Sequence, residues 1–568
     1  MTLWNFLDHK YILNPSKPWL KNYLEGVPHE IRLSHYSSLV EIFEESFKLY
    51  PKRSVLESMG KTLTYRELDL LSKDFAAYLQ TLGLEPGSRV AIMFPNVTEY
   101  LVTMLGTLRA GFVVVNVNPL YTSRELEHQL KDSGADVLVM LENFCHIYQA
   151  IAAQVTLKQV IVSSLGELHG IKGLLINLVA HKVKKLVPQW DFPCIRFKEA
   201  LKVGKAHSFT KPNIDLNDIA FLQYTGGTTG ISKGAILLHR NILANVIQIE
   251  AWLEPGLKHA KQEQLVFLCA LPLTHIFALT ACALLGIRKG GLLILIPNPR
   301  DISGFIKMLI RHPNINIFPG VNTLFHALIH RPEFSKVKLP HLLVTIGGGM
   351  AVQKNTADLW QKLTGAPIIQ GYGLSETSPV VCVNTPLVDI FNGTIGMPIP
   401  GTDVVILDDD GLELPHGTPG EICIKGPQVM AGYWNQAEET KRFITVDGFF
   451  KSGDIGIIND DGYITIVDRK KDMIVVAGFK VFPTEIEEVI SQLPGVKECA
   501  VIGAPHRKLG EIVKAFIVKN DRHLTEALVI QYCKEQMTSY KRPRKIIFVE
   551  ELPKSNVGKI LRRELRTL

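Results

Sequence analysis

The stretch Tyr224-Thr-Gly-Gly-Thr-Thr-Gly-Ile-Ser-Lys-Gly234 decides how the rest of the chain is read, because it admits two opposite meanings. Its last five residues, Gly230-Ile231-Ser232-Lys233-Gly234, fit the G-x-S-x-G pattern of a hydrolase nucleophile elbow. An elbow serine stands on a sharp turn between a strand and a helix. Here the strand-like run Ala220 to Tyr224 enters seven residues, six of them polar or glycine, before Ser232, and Gly234 is followed by Ala-Ile-Leu-Leu, a second strand-like run. The helical pattern starts only near Asn241, with Ile242, Val246 and Ile249 on one face.

Four glycines and three threonines around one lysine suit a phosphate cradle instead. Glycines let backbone N–H groups close on phosphate oxygens, hydroxyls donate further bonds, and the lysine adds charge. The register is neither G-x-x-x-x-G-K-[ST] nor G-x-G-x-x-G. A flexible Gly-Thr linker stays open on these residues alone.

Outward from this loop, residues from about 35 to 470 alternate β-branched runs with helical stretches, as in RVAIMF, a helix through Tyr100 to Ala110, and FVVVNV. That alternation predicts an α/β fold with buried sheets. From Asp408 the texture becomes hairpin-like, with Asp410-Gly411 and Asp461-Gly462 as turns. The charged segment DRKKD, Asp468 to Asp472, precedes a compact α+β tail. In that tail Thr484 and Glu487 match a capping box, and Ile486, Val489, Ile490 and Leu493 keep helical spacing. Strands are expected at Cys499 to Ile502, Ile512 to Val518 and Lys545 to Val549, with a helix near Leu524 to Met537. The expected organisation is a large multi-subdomain α/β domain with a β-rich part, residues 1–470, and a small mobile α+β domain, residues 471–568.

A chain of 568 residues exceeds one ordinary core. Its 46% apolar and 21% charged residues are those of a folded globular protein, and a net charge of +7 is too small for this length to support generic nucleic-acid binding. Eight scattered cysteines without C-x-x-C spacing point to a reducing compartment, and the N-terminus lacks a secretory signal pattern, so the cytoplasm is expected. Leu268 to Ile287 has the length of a membrane span but contains Pro272 and His275, and reads better as buried strand, turn and helix.

Several further motifs follow the glycine loop: LPLTHIFALT (Leu271 to Thr280), GGGM (Gly347 to Met350), QGYGLSETSP (Gln370 to Pro379) and GEICIKGPQVMAGYW (Gly420 to Trp434). FFKSGDIG (Phe449 to Gly456), DRKKDMIVVAGFKVFP (Asp468 to Pro483) and LPKSNVGKILRREL (Leu552 to Leu565) complete the set. Together, in this order, they resemble the adenylate-forming superfamily, and specifically bacterial long-chain fatty acid:CoA ligases, over essentially the full length. The resemblance implies that a fatty acid carboxylate attacks the α-phosphate of ATP, that pyrophosphate leaves, and that the CoA thiol then displaces AMP to give acyl-CoA for β-oxidation or lipid synthesis. No enzyme nucleophile is needed, since AMP itself makes the acyl group reactive; the protein positions the reactants and stabilises charge.

By this resemblance Thr225, Thr228, Thr229 and Lys233 hold the β and γ phosphates, while Gly226, Gly227 and Gly230 allow close backbone approach. Glu376 is the implied Mg2+ ligand, as suits a hard cation, and Ser375 keeps the hydroxyl of the family's commoner threonine. Gly348, Gly349, Gly371, Tyr372 and Gly373 form the adenine slot. Asp454 accepts the ribose hydroxyls and Arg469 assists there or near the phosphates. Lys559 reaches the α-phosphate and carboxylate, and His275 stands beside the adenylate. Phe277, Val321 and Asn322 are candidates for the acyl tunnel; a tryptophan gate found in some relatives has no counterpart in LPLTHIFALT. Lys471 takes the hinge position, and rotation there would withdraw Lys559 and bring Gly478, Phe479 and Lys480 to CoA.

Ile171 to Val187 has a broad apolar arc and a polar strip of Asn177, His181 and Lys184, with Lys182 intruding on the apolar side. It reads equally as a packed surface helix or as one docking on an anionic membrane. The resembling enzymes are peripheral inner-membrane proteins, which favours docking at the inner face of the cytoplasmic membrane; a homodimer is compatible with the resemblance. The rival readings are a related adenylate-forming ligase using another carboxylate or a carrier-protein acceptor, a non-catalytic lipid-binding membrane scaffold, and an acyl hydrolase using Ser232.

Overall fold

The computed structural model describes residues 17–33, 35–225, 232–554 and 560–567. Among these residues the strands form four sheets. In the first, Ile219–Thr225 lies beside Val113–Asn116, followed outward by Arg89–Met93, Val137–Leu141, Gln159–Ser163 and Ile195–Arg196, all parallel. Lys233–Leu238 runs antiparallel on the other side of Ile219–Thr225, and Gly432–Tyr433 closes that edge.

This sheet is buried on both faces. Val90 and Ile92 point into one core while Ala91 and Met93 point into the other, the period-2 alternation of a strand apolar at every position after Arg89. A second sheet of nine strands runs from Met397–Pro398 through Ile368–Gly373, Val344–Gly347 and Val266–Cys269 to Lys61–Thr64, and its inner face shares the larger core.

The β-rich part is antiparallel: Asp403–Leu407, Gly420–Lys425, Phe450–Ile458 and Ile464–Arg469. The fourth sheet begins at Ile474–Val476. Its long hairpin, Val496–His506 with Gly510–Lys519, is longer at both strands than the apolar runs alone suggest, because its ends are paired but half exposed. Lys545–Val549 adds in parallel.

The capping box expected at Thr484 is not formed. Pro483 occupies the first helical position, its fixed φ starting the helix two residues earlier, and Thr484 falls inside Pro483–Ser491. Glu487 accepts instead from the Val501 amide at 2.7 Å and from Arg562. The run from Leu268 folds as strand Val266–Cys269, a turn, and helix from Ile276; among the described residues no helix is long and apolar enough to cross a membrane. All eight cysteines are free thiols, seven of them buried.

Candidate active site

The glycine loop joins two strands paired side by side. Tyr224 pairs with Gly234 and Thr225 with Lys233, and Ser232 leads directly into strand Lys233–Leu238. A serine entering a strand cannot form a nucleophile elbow, which needs a helix behind it. The expected phosphate contacts of Gly226, Gly227, Thr228, Thr229 and Gly230 lie outside the described residues, as does Lys559.

The hairpin is anchored from below and from the side. Tyr224 donates to the Asp132 carboxylate at 2.5 Å, the Trp434 indole donates to the Asp132 carbonyl at 3.0 Å, and the Trp434 amide donates to the Gly234 carbonyl at 2.8 Å. The Lys233 ammonium is ion-paired with Glu439 and lies 5.4 and 5.5 Å from the ring centroids of Tyr433 and Phe443. This aromatic and acidic seat holds a cation at the mouth of the loop. Sequence reasoning missed both Glu439 and Tyr433, although Tyr433 belongs to the AGYW end of a motif already singled out.

A cavity of about 1770 Å³ collects most of the remaining residues. Thr225, Lys233, His275, Phe277 and Val321 line it, with Gly348, Gly349, Gly371, Tyr372, Gly373, Ser375 and Glu376. Arg469 and Lys471 close another wall. His275 caps the short helix Ile276–Ala278, its Nδ1 accepting from the Phe277 amide at 3.3 Å. Close approach requires one glycine and crowds another: a Cβ on Gly373 would lie 1.9 Å from the Pro379 carbonyl oxygen, whereas one on Gly348 would lie 3.0 Å from the Phe277 ring.

Glu376 stands in the turn Ser375–Thr377 and is 9% exposed. Tyr433 donates to its Oε1 at 2.7 Å. Burial raises the Glu376 carboxyl above its usual range, against the lowering effect of the Tyr433 hydrogen bond and of Arg469. A carboxylate held this way suits a divalent cation, which removes the cost of the buried charge.

Behind the cavity wall, Asp454 and Arg469 are a cross-strand pair of the antiparallel hairpin. Arg469 Nε lies 2.6 Å from Asp454 Oδ1, and the Tyr372 hydroxyl donates to Oδ2 at 2.7 Å. Burial opposes the Arg469 charge, yet Asp454, Tyr372 and Glu376 outweigh it and hold its pKa above the ordinary value. Burial and the Asp454 charge push the Tyr372 hydroxyl well up, so it remains a donor.

The tail reaches the same cavity. Ile560, Leu561, Arg562 and Arg566 line it, tied down by Arg562 to Glu487 at 2.7 Å and by Arg566 to Asp472 at 3.0 Å. Lys471 is pushed down to about 8, chiefly by burial and further by the charges of Arg469 and Arg566, against Asp472. Asp468, on the strand just before it, accepts from the Thr484 amide at 2.8 Å.

Two groups of candidate residues lie outside this lining. Asn322 opens helix Asn322–Ile329 and accepts from the Gln353 amide at 3.0 Å, away from the cavity lining. Gly478, Phe479 and Lys480 form a hairpin tip outside it, Phe479 stacked on Tyr540 at 4.7 Å and Lys480 facing Asp409 at 3.8 Å. Apolar lining is supplied instead by Ile249, Trp252 and Leu253 of helix His239–Leu257, with Leu271, Ile276 and Ala281.

Residues 43–434 match the AMP-binding enzyme model and residues 485–559 the AMP-binding enzyme C-terminal domain, and the chain belongs to this family of adenylate-forming enzymes. It is similar over 97% of its length to the long-chain-fatty-acid--CoA ligase of Escherichia coli O6:H1, 49% identical over 553 residues and 98% of that protein. Its fold is similar to ATP-bound MatB from Rhodopseudomonas palustris, with a TM-score of 0.80, 30% identity, and 93% and 98% of the two chains covered. The anthranilate CoA ligase AuaEII in complex with anthranoyl-AMP gives 0.82 and 26%, covering 94% and 98%.

Proposed function

We propose that this enzyme is a long-chain fatty acid:CoA ligase that forms an acyl-adenylate from ATP and passes the acyl group to CoA. One observation carries the reading: a single cavity is lined both by the charged Lys233, Glu376 and Arg469 and by the apolar Ile249, Trp252 and Leu253. A nucleotide triphosphate and an alkyl chain need opposite surroundings, and the carboxylate between them meets the α-phosphate at the junction. The 49% identity to a long-chain-fatty-acid--CoA ligase supports the choice of substrate.

In this mechanism Tyr372 faces the adenine and Asp454 accepts the ribose hydroxyls, since a carboxylate has lone pairs left beyond those used by Tyr372 and Arg469. Thr225, Lys233 and the glycine loop hold the outer phosphates. Glu376 would hold Mg2+, which, when bound, offsets charge on the phosphate oxygens. Lys559, next to the cavity-lining Ile560, stabilises the charge that builds at phosphorus while His275 borders the acyl carboxylate. For the second step, rotation about Lys471 withdraws Lys559 and presents Gly478 to Lys480. The four-stranded sheet ends at Arg469 and the next strand starts at Ile474, so the torsions between them can absorb the turn. The acyl substrate partitions into lipid, and we place the enzyme in peripheral contact with a membrane.

The test is pyrophosphate release and thioester formation with ATP, Mg2+, CoA and fatty acids of graded length. Lys559→Ala is expected to lose adenylate formation yet convert supplied acyl-adenylate to thioester. Equal loss of both steps would remove the proposed division of labour, and activity without ATP would favour a hydrolase.

A further inference from the structure

The helix at Ile171–Leu178, continued by a wider turn at Val179–Val183, is mounted inside out. Two of its polar residues, Asn177 and His181, reach back to the protein. Asn177 donates to Ser164 Oγ at 2.9 Å and accepts from the Gly166 amide at 2.8 Å, and His181 lies 2.8 Å from the buried Glu142 carboxylate. Gly173 packs so closely on Gly166 that a Cβ there would stand 1.9 Å from its carbonyl oxygen.

The apolar residues face outward instead: Ile171 is 89% exposed, Leu174 73%, Leu175 64%, Leu178 55% and Val183 71%. Six such residues, counting Leu186, within sixteen positions make a contiguous patch rather than scattered surface leucines. Exposed Lys172, Lys182, Lys184 and Lys185 rim it, and no acidic residue occurs between Ile171 and Trp190.

We propose that this helix lies in the headgroup layer of an anionic bilayer, leucines in the acyl boundary and lysines on the lipid charges. An apolar face with a purely basic rim matches that surface in both hydrophobicity and sign. A second copy of the chain would set four lysines against four, and the charge argues against it. The position follows from the topology: Gln159–Ser163, which leads into the helix, is parallel to Ile219–Thr225, which leads into the glycine loop. Both leave the same edge of the sheet, four strand positions apart, or about 19 Å. The lipid contact and the nucleotide loop therefore share one rim of the domain. This assignment names the surface behind the membrane contact proposed above and rests on that reading.

The full-length enzyme is tested by co-sedimentation with phosphatidylcholine vesicles with and without phosphatidylglycerol. Combined Leu174→Ser, Leu175→Ser and Leu178→Ser is expected to weaken partitioning roughly tenfold or more on charged vesicles. Lys184→Glu with Lys185→Glu is expected to weaken it roughly 30-fold, on phosphatidylglycerol vesicles alone. Turnover of detergent-dispersed palmitate should be unchanged in both variants. Emission from Leu175→Trp should shift to the blue on adding charged vesicles, a readout that does not require a loss of function. Undiminished partitioning of the leucine variant, a wild-type enzyme that ignores vesicles, or a dimer abolished by the leucine changes overturns the inference. Vesicle binding without any turnover would uphold the surface and overturn the catalytic reading instead.

Discussion

Replacing Tyr372 by Phe removes one hydroxyl and keeps the ring on the cavity wall. That hydroxyl donates to Asp454 Oδ2 at 2.7 Å, while Arg469 stays 2.6 Å from Oδ1. Asp454 is 2% exposed, but it is not left unpaired, so the penalty is that of one hydrogen bond to a charged acceptor, about 1.5–3 kcal/mol, rather than that of a stranded charge. If half of it falls on the nucleotide complex, where the carboxylate must hold a fixed orientation, KM for ATP rises roughly three- to twelvefold, since about 1.4 kcal/mol is a factor of ten. Arg469→Met is the harsher change: it removes the charge partner, and with an Arg469 side chain 31% exposed the cost sits near the lower end of the range for broken buried pairs, about 3 kcal/mol. ATP–pyrophosphate exchange with palmitate gives KM for ATP, and chemical denaturation of the same proteins separates binding from stability. A cycle of Tyr372→Phe with Asp454→Asn isolates the pair. An ATP KM within twofold of wild type in Tyr372→Phe, with strictly additive effects in the double variant, refutes the claim that this hydroxyl orients the carboxylate.

Three other outcomes follow from the same geometry. Lys471, pushed down to about 8 on the cavity wall, should take up a proton when the anionic nucleotide enters and raises its pKa. ATP affinity then falls as pH rises through about 8, and calorimetry in buffers of different ionisation enthalpy should detect the proton in the wild type and lose it in Lys471→Met. Glu376→Gln should lower adenylate formation by roughly 10²–10³-fold and flatten its dependence on Mg2+, whereas Tyr433→Phe, which only frees Glu376 Oε1, should cost roughly tenfold; pyrophosphate release against Mg2+ concentration distinguishes them. Gly348→Ala should fold and turn over slowly, because the Phe277 ring 3.0 Å away can yield, while Gly373→Ala meets the Pro379 backbone at 1.9 Å and should lower soluble yield and Tm.

The sequence by itself carried the local decisions. A strand on both sides of the glycine loop excludes the nucleophile elbow, and that was legible because apolar runs at period 2 report backbone geometry directly. The order of motifs also carried the family, since each preserves a backbone requirement such as the glycine at 373. Tertiary structure decided what meets what. Tyr372 finds Asp454 82 residues away, and Lys233 finds Glu439 206 residues away, in a seat no spacing rule points to. Asn322 reads as a tunnel residue until the fold turns it to the Gln353 amide, and Thr484 reads as a cap until Pro483 starts the helix before it. The helix at 171–183 makes the same point most sharply: its amphipathic pattern shows that two faces exist, but which one turns outward depends on Ser164, Gly166 and Glu142, partners brought up by other strands and loops. Periodicity is a property of one segment, whereas burial is a relation between segments, and only the folded chain supplies the second party.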